Sequence, residues 1–249
     1  MAYRFPNRIS YTSATITRSF PILPPASPLV AASASTYDRI TSSTDPQLKH
    51  MGTGLLDPGV ASLFDELLVQ AFRDLREVTL YREFFHTREC VLPEIEVEYF
   101  NVKAYETLYR VLSMPFQFPR ATSPQQEPCR LALLVFWHAN WAIHLPDSGL
   151  FRSLTTQLKS ALEQSNLQSL WHPHDMLLIW VMCLGAYISA GQREHSWFIT
   201  YLARSARQRE LKCSKELKAV LQRFFYIDRI YRKGVEDIWD EVSILMDAL

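Results

Sequence analysis

The chain has 249 residues, 48% of them hydrophobic, with 26 basic and 26 acidic side chains and four cysteines. That length and apolar share allow one or two domains with a sizeable core, and the charge balance leaves no overall field that would draw the chain to nucleic acid or an anionic membrane. Cys90, Cys129, Cys183 and Cys213 lie far apart with no C-x-x-C spacing, which argues against a zinc or dithiol site and suits reduced, intracellular thiols.

Residues 1–54 are rich in Ser, Thr and Pro, with Pro24, Pro25 and Pro28 breaking any helix, and the segment is predicted to be a disordered tail. Arg4, Arg8 and Arg18 precede the first acid, Asp38. That is the composition of a mitochondrial transit peptide, but the prolines interrupt the amphipathic helix such a peptide needs.

One helical domain is expected over 55–249. Asp57 and Pro58 suit a cap and a first helical turn, and Val60, Leu63, Phe64, Leu67, Leu68, Ala71 and Leu75 then share one face. A second helix after Pro93 turns Phe100, Ala104, Leu108, Val111 and Leu112 inward and is predicted to stop near Met114 and Pro115. Arg120 to Pro128 is expected to be a loop, followed by a buried helix over roughly Cys129 to His144. Asp147 or Ser148 can cap a fourth helix carrying Phe151, Leu154, Leu158, Ala161 and Leu162.

The stretch from Trp171 to Phe198 organises the rest. Pro173 suits a first helical turn, no charge interrupts Met176 to Ala190, and Gly191 offers a left-handed stop. The run falls short of the ~20 apolar residues of a membrane span, so a buried core helix is predicted. A further helix holds Trp197, Phe198, Tyr201 and Leu202 and runs to about Arg209, and Ser214 can cap another with Leu217, Val220, Leu221, Phe224 and Phe225. Gly234 is read as punctuation before a last segment in which Glu236 and Asp237 lie near the positive helix start. The fold class is therefore all-α, an irregular bundle of about eight helices, with no stretch reading as a sheet.

Candidate sites are sparse. His172 and His174 at i and i+2 diverge by about 200° on a helix, so with Asp175 they suit local hydrogen bonding better than a shared metal. His138 and His144, six apart, fall on different helical faces. No phosphate-cradling Gly loop, G-x-S-x-G elbow or H-E-x-x-H motif occurs. No catalytic, metal-binding or cofactor-binding residue is assigned, and no cofactor is expected. Arg204, Arg207, Lys215 and Lys218 belong to a locally basic stretch, and Trp239 sits in an acidic, apolar C-terminal segment. These five are the candidate partner-binding surface.

Leu131 to Trp137, Trp171 with Pro173, Trp180 with Gly185, Arg193 to Phe198 with its Trp197, Leu221 with Phe224, and Ile238 to Val242 follow one another in a fixed order. That order resembles the C-terminal helical domain of fungal-specific zinc-cluster transcription factors. The resemblance implies a nuclear regulatory domain that responds to a small effector and contacts protein partners, an intact zinc-cluster factor among them. The six-cysteine cluster that contacts DNA in that family has no matching positions here, so no direct DNA binding is expected, and no membrane partner. The alternative is a helical small-molecule-binding protein or enzyme with its site between the central helix and the Trp137 helix.

Overall fold

The computed structural model describes residues 8–21, 34–43, 45–87, 93–117, 123–141, 148–167 and 169–248, which are all-α with no strand among them. Contacts divide the chain into two compact units. One comprises residues 1–49 and 66–120, the other residues 50–65 and 121–249.

In the first unit α6 (Glu66–Thr87) packs along α7 (Glu94–Gln117). Leu68, Phe72 and Leu75 from α6 and Phe100, Ala104 and Leu108 from α7 are buried, and the Tyr81 and Phe100 rings stack at 3.9 Å. Part of the segment read as a tail is helical: α1 (Arg8–Thr17), α2 (Ala34–Ser43) and α3 (Pro46–Lys49). Short Ser/Thr-rich helices are marginal alone, and tertiary contacts hold these two longer ones. Tyr11 is 1% exposed and lies 6.1 Å and 6.2 Å from the Tyr105 and Tyr109 rings of α7. The hydroxyl of Thr36 on α2 donates to Glu96 at 2.6 Å.

In the second unit α10 (Asp175–Ile188) is the centre, touching α8 (Gln126–Trp141), α9 (Gly149–Gln164), α11 (His195–Gln208), α12 (Ser214–Gln222) and α13 (Asp228–Ala248). Every residue from Leu177 to Ala186 is buried, as an uncharged run all around a helix requires. The buried indoles find partners: Trp180 Nε1 donates to the Phe225 carbonyl at 3.1 Å and Trp171 Nε1 to Ser165 Oγ at 2.8 Å. Gly185 lets the Phe198 ring of α11 press against the α10 backbone, and Gly191 takes the left-handed φ of 75° expected of a stop. Pro173 lies in a 3-10 turn, His172–His174, just ahead of α10.

Several predicted boundaries move. Asp57 does cap a helix, accepting from Gly59 N at 3.0 Å, but that helix is only α5 (Pro58–Ala61), preceded by α4 (Thr53–Leu56). The long helix starts afresh at Glu66. Helix α7 passes Pro115 by two residues, because a proline in the last turn removes little of the ladder. Helix α8 begins a turn early, at Gln126, inside the expected loop, and His144 and Asp147 lie outside the described residues. Ser148 caps α9 through Phe151 N, whereas Ser214 is the first helical residue of α12, with Cys213 at the cap position. Gly234 does not punctuate: it lies inside α13, facing the Tyr187 ring of α10 at a distance that leaves no room for a Cβ. The acid near the start of α13 is consequently Asp228, and Glu236 and Asp237 fall mid-helix.

Candidate interaction surface

Helix α11 divides its residues cleanly. Phe198, Ile199, Leu202, Ala203 and Ala206 are buried, while Trp197, Tyr201, Arg204 and Arg207 lie toward the opposite side, as i, i+4 and i+7 spacing dictates. The half-buried Trp197 and Tyr201 rings sit 4.6 Å apart. Lys159 of α9 stands over Trp197 at 5.6 Å and Arg204 over Tyr201 at 5.4 Å, contacts worth ~0.5–1 kcal/mol each at exposed sites. The aromatic residues of this stretch are thus interleaved with its cations instead of belonging wholly to the buried stripe.

Arg204, Arg207, Lys212 and Lys215 are exposed, and none of their side chains has a carboxylate partner among the described residues, although the Lys212 backbone N–H donates to the Glu216 carboxylate at 2.6 Å. The two arginines occupy the C-terminal half of α11, where the helix dipole favours cations. Lys218 differs. Its ammonium pairs with Asp228, which also accepts from Arg232 Nε at 2.6 Å and from the Tyr226 hydroxyl at 2.9 Å. Burial would raise the Asp228 carboxyl, but these hydrogen bonds outweigh it and hold it at about 2. Lys218 therefore ties α12 to α13. Arg209 is likewise engaged, with Asp175 at 2.9 Å. Trp239, expected at a partner surface, is instead 8% exposed on the core face of α13, and the outward apolar residue of that helix is Ile244, at 70%.

The remaining residues singled out by the sequence do not form one site. Trp137, Trp171, Trp180, Phe198 and Phe224 are core residues of the second unit, Gly185 is a packing contact and Pro173 is exposed. His138 is buried beside Trp137, and among the described residues no three His, Cys, Asp or Glu side chains form a metal-donor group. His195 was not foreseen as a contact residue. Its Nε2 lies 3.1 Å from Glu241 Oε1 and its Nδ1 3.1 Å from the Ala186 carbonyl, joining α11 to α13 and α10. Only its placement at the first turn of α11 could have signalled this.

Two other polar concentrations stand out among the described residues. In the first unit Glu77 accepts from both Tyr37 of α2 and Lys103 of α7, and Asp74 accepts from Arg110 at 2.5 Å. Burial would lower the Lys103 ammonium, but Glu77 and Asp74 hold it above its ordinary value. These charges satisfy one another and fasten α2 to α6 and α7. In the second unit a cleft of about 280 Å³ opens at the start of α10, lined by Asp57, Val60, Asp175, Met176, Arg223 and Phe224 among others. It lies away from the α8–α10 contact where a ligand site was expected. Arg223 reaches Met176 Sδ at 3.3 Å and has no carboxylate partner among the described residues.

Comparison with family models, curated proteins and solved structures finds no match to this chain. Among the described residues no helix is long and apolar enough to cross a membrane.

Proposed function

We propose that the chain is a helical regulatory domain that works in transcriptional control in the nucleus, through protein contacts rather than turnover or base contacts. The observation that carries this is the outward face of α11, where Arg204 and Arg207 stand without counter-charges among the described residues, beside half-buried Trp197 and Tyr201. Aromatic and arginine side chains together are the residues that dominate protein interfaces. The order of motifs, which resembles that of zinc-cluster factors, suggests the transcriptional setting. Fusing the chain to a heterologous DNA-binding domain tests it: the fusion changes output from a reporter bearing that domain's site, and Arg204→Glu with Arg207→Glu abolishes the change at equal protein level. A wild-type fusion that leaves the reporter unchanged overturns the reading.

The cleft at the start of α10 favours a second role within the same domain, binding of a small effector with both an anionic and an apolar part. Arg223 supplies the cation, the lining carboxylates Asp57 and Asp175 being engaged by Gly59 N and Arg209, and Val60, Leu177 and Phe224 supply the apolar wall. Amino acids and short carboxylic acids that raise the melting temperature of the wild-type protein but not of Arg223→Ala would support it. No shift with any of them removes it.

A further inference from the structure

We propose that the partner of the α11 face is a second copy of this chain, docking through the outer stripe of α13. The proposal rests on the contact surface assigned above and names what occupies it. On α13, Glu236, Asp240, Ile244 and Asp247 are all exposed. Their spacing of i, i+4, i+8 and i+11 sets them on one side, opposite Val235, Ile238 and Val242 in the core. None of the three acids has a cation within 4 Å among the described residues, although Glu236 acts electrostatically on Arg232 one turn earlier. The unit therefore carries an acidic stripe with one large apolar residue in it, and elsewhere a cationic stripe with two half-buried aromatic rings. Among the described residues, no ion pair joins the two stripes within one copy.

Their dimensions agree. At 1.5 Å rise per residue, Trp197 to Arg204 spans ~10 Å and Glu236 to Ile244 ~12 Å. With the helices antiparallel across two copies, Ile244 rests on Trp197 and Tyr201 while Glu236 and Asp240 reach Arg204 and Arg207. The charge segregation on a chain of zero net formal charge favours such self-pairing over nucleic acid, whose readers carry a broad basic face.

Sedimentation velocity on the purified full chain tests this, with circular dichroism and melting confirming that the exposed substitutions leave the fold intact. The wild type is expected to dimerise at about 50 mM salt and to dissociate by about 500 mM, where the screening length falls several-fold. Arg204→Glu with Arg207→Glu, or Glu236→Lys with Asp240→Lys, weakens association by at least ~10-fold. Mixing the two charge-reversed proteins restores a heterodimer, because each then offers the complement the other needs. A wild type that stays monomeric at low salt overturns the proposal, as does a dimer indifferent to both reversals. Binding of poly-glutamate or a single-stranded oligonucleotide by a monomeric wild type would assign the face to that ligand class instead. Reporter activity of the fusion alongside a monomeric chain would leave the contact reading standing while removing the second copy as its partner.

Discussion

Gly185→Ala is the most informative single substitution. A Cβ at this position would lie within 2.8 Å of three carbons of the Phe198 ring, and that ring is fully buried, so it has little room to retreat. Alanine in a helix interior gains up to ~1 kcal/mol in propensity over glycine. Overpacking a closed core costs ~1–3 kcal/mol, and with three ring atoms in conflict the upper part of that range applies. The net expectation is a loss of ~2 kcal/mol, or a melting temperature about 4–8 °C lower for a chain of this size. All six tryptophans, from Trp137 to Trp239, belong to the second unit, so their fluorescence reads the melting of that unit alone. The cost should be coupled to Phe198. In a Phe198→Ala background, itself destabilised by ~3–5 kcal/mol, Gly185→Ala should become neutral or stabilising. Because the same contact seats α11, the substitution should also lower reporter activity. A Gly185→Ala protein that melts higher than wild type, or one that loses equal stability in both backgrounds, would refute the packing argument.

Asp228 gives a pH signature. Its carboxyl is held at about 2, against an ordinary 3.8. A depressed folded value means stability that is fully present above the unfolded value and is lost as pH falls through about 2. Since Arg232 is 65% exposed, solvent screening limits the contribution to ~1 kcal/mol. Asp228→Asn should accordingly melt lower than wild type at pH 7, with the gap narrowing as pH falls toward 2 and closing only below it; a gap as wide at pH 2 as at pH 7 contradicts the assignment. In the first unit, Glu77→Gln removes the anionic acceptor shared by Tyr37 and Lys103, and amide exchange over residues 34–43 should quicken by ~10-fold or more; unchanged protection there means α2 is held by other contacts. Thiol labelling of native protein, mapped by peptide mass, should modify the half-exposed Cys213 well before Cys129 or Cys183. Burial leaves both of those inaccessible and pushes the Cys183 thiol up to about 12. Equal rates for the three would show that the core opens readily.

Local pattern was enough to read the all-α class and the central place of the Trp171–Phe198 stretch. An uncharged run bounded by Pro173 and Gly191 has one economical use in water, a helix buried on all sides, and that information is contained in neighbouring residues. The exposed cations Arg204, Arg207 and Lys215 were legible for the same reason, since charge prefers solvent wherever no partner is built for it. What local pattern did not carry was contact between residues distant in the chain. Gly234 reads as a break until Tyr187 is seen against it, and Ser/Thr-rich segments around Tyr11 and Thr36 read as tail until α7 supplies their partners. Lys218 and Arg204 are equivalent as letters. Asp228, ten residues further along, takes one into the structure, and no carboxylate among the described residues takes the other, which rests over the Tyr201 ring. Trp239, expected at a partner surface, faces the core instead, and helical spacing turns Ile244 to solvent. Helix class is thus a property of short-range periodicity. Which charges remain available for a partner depends on pairings made across the fold.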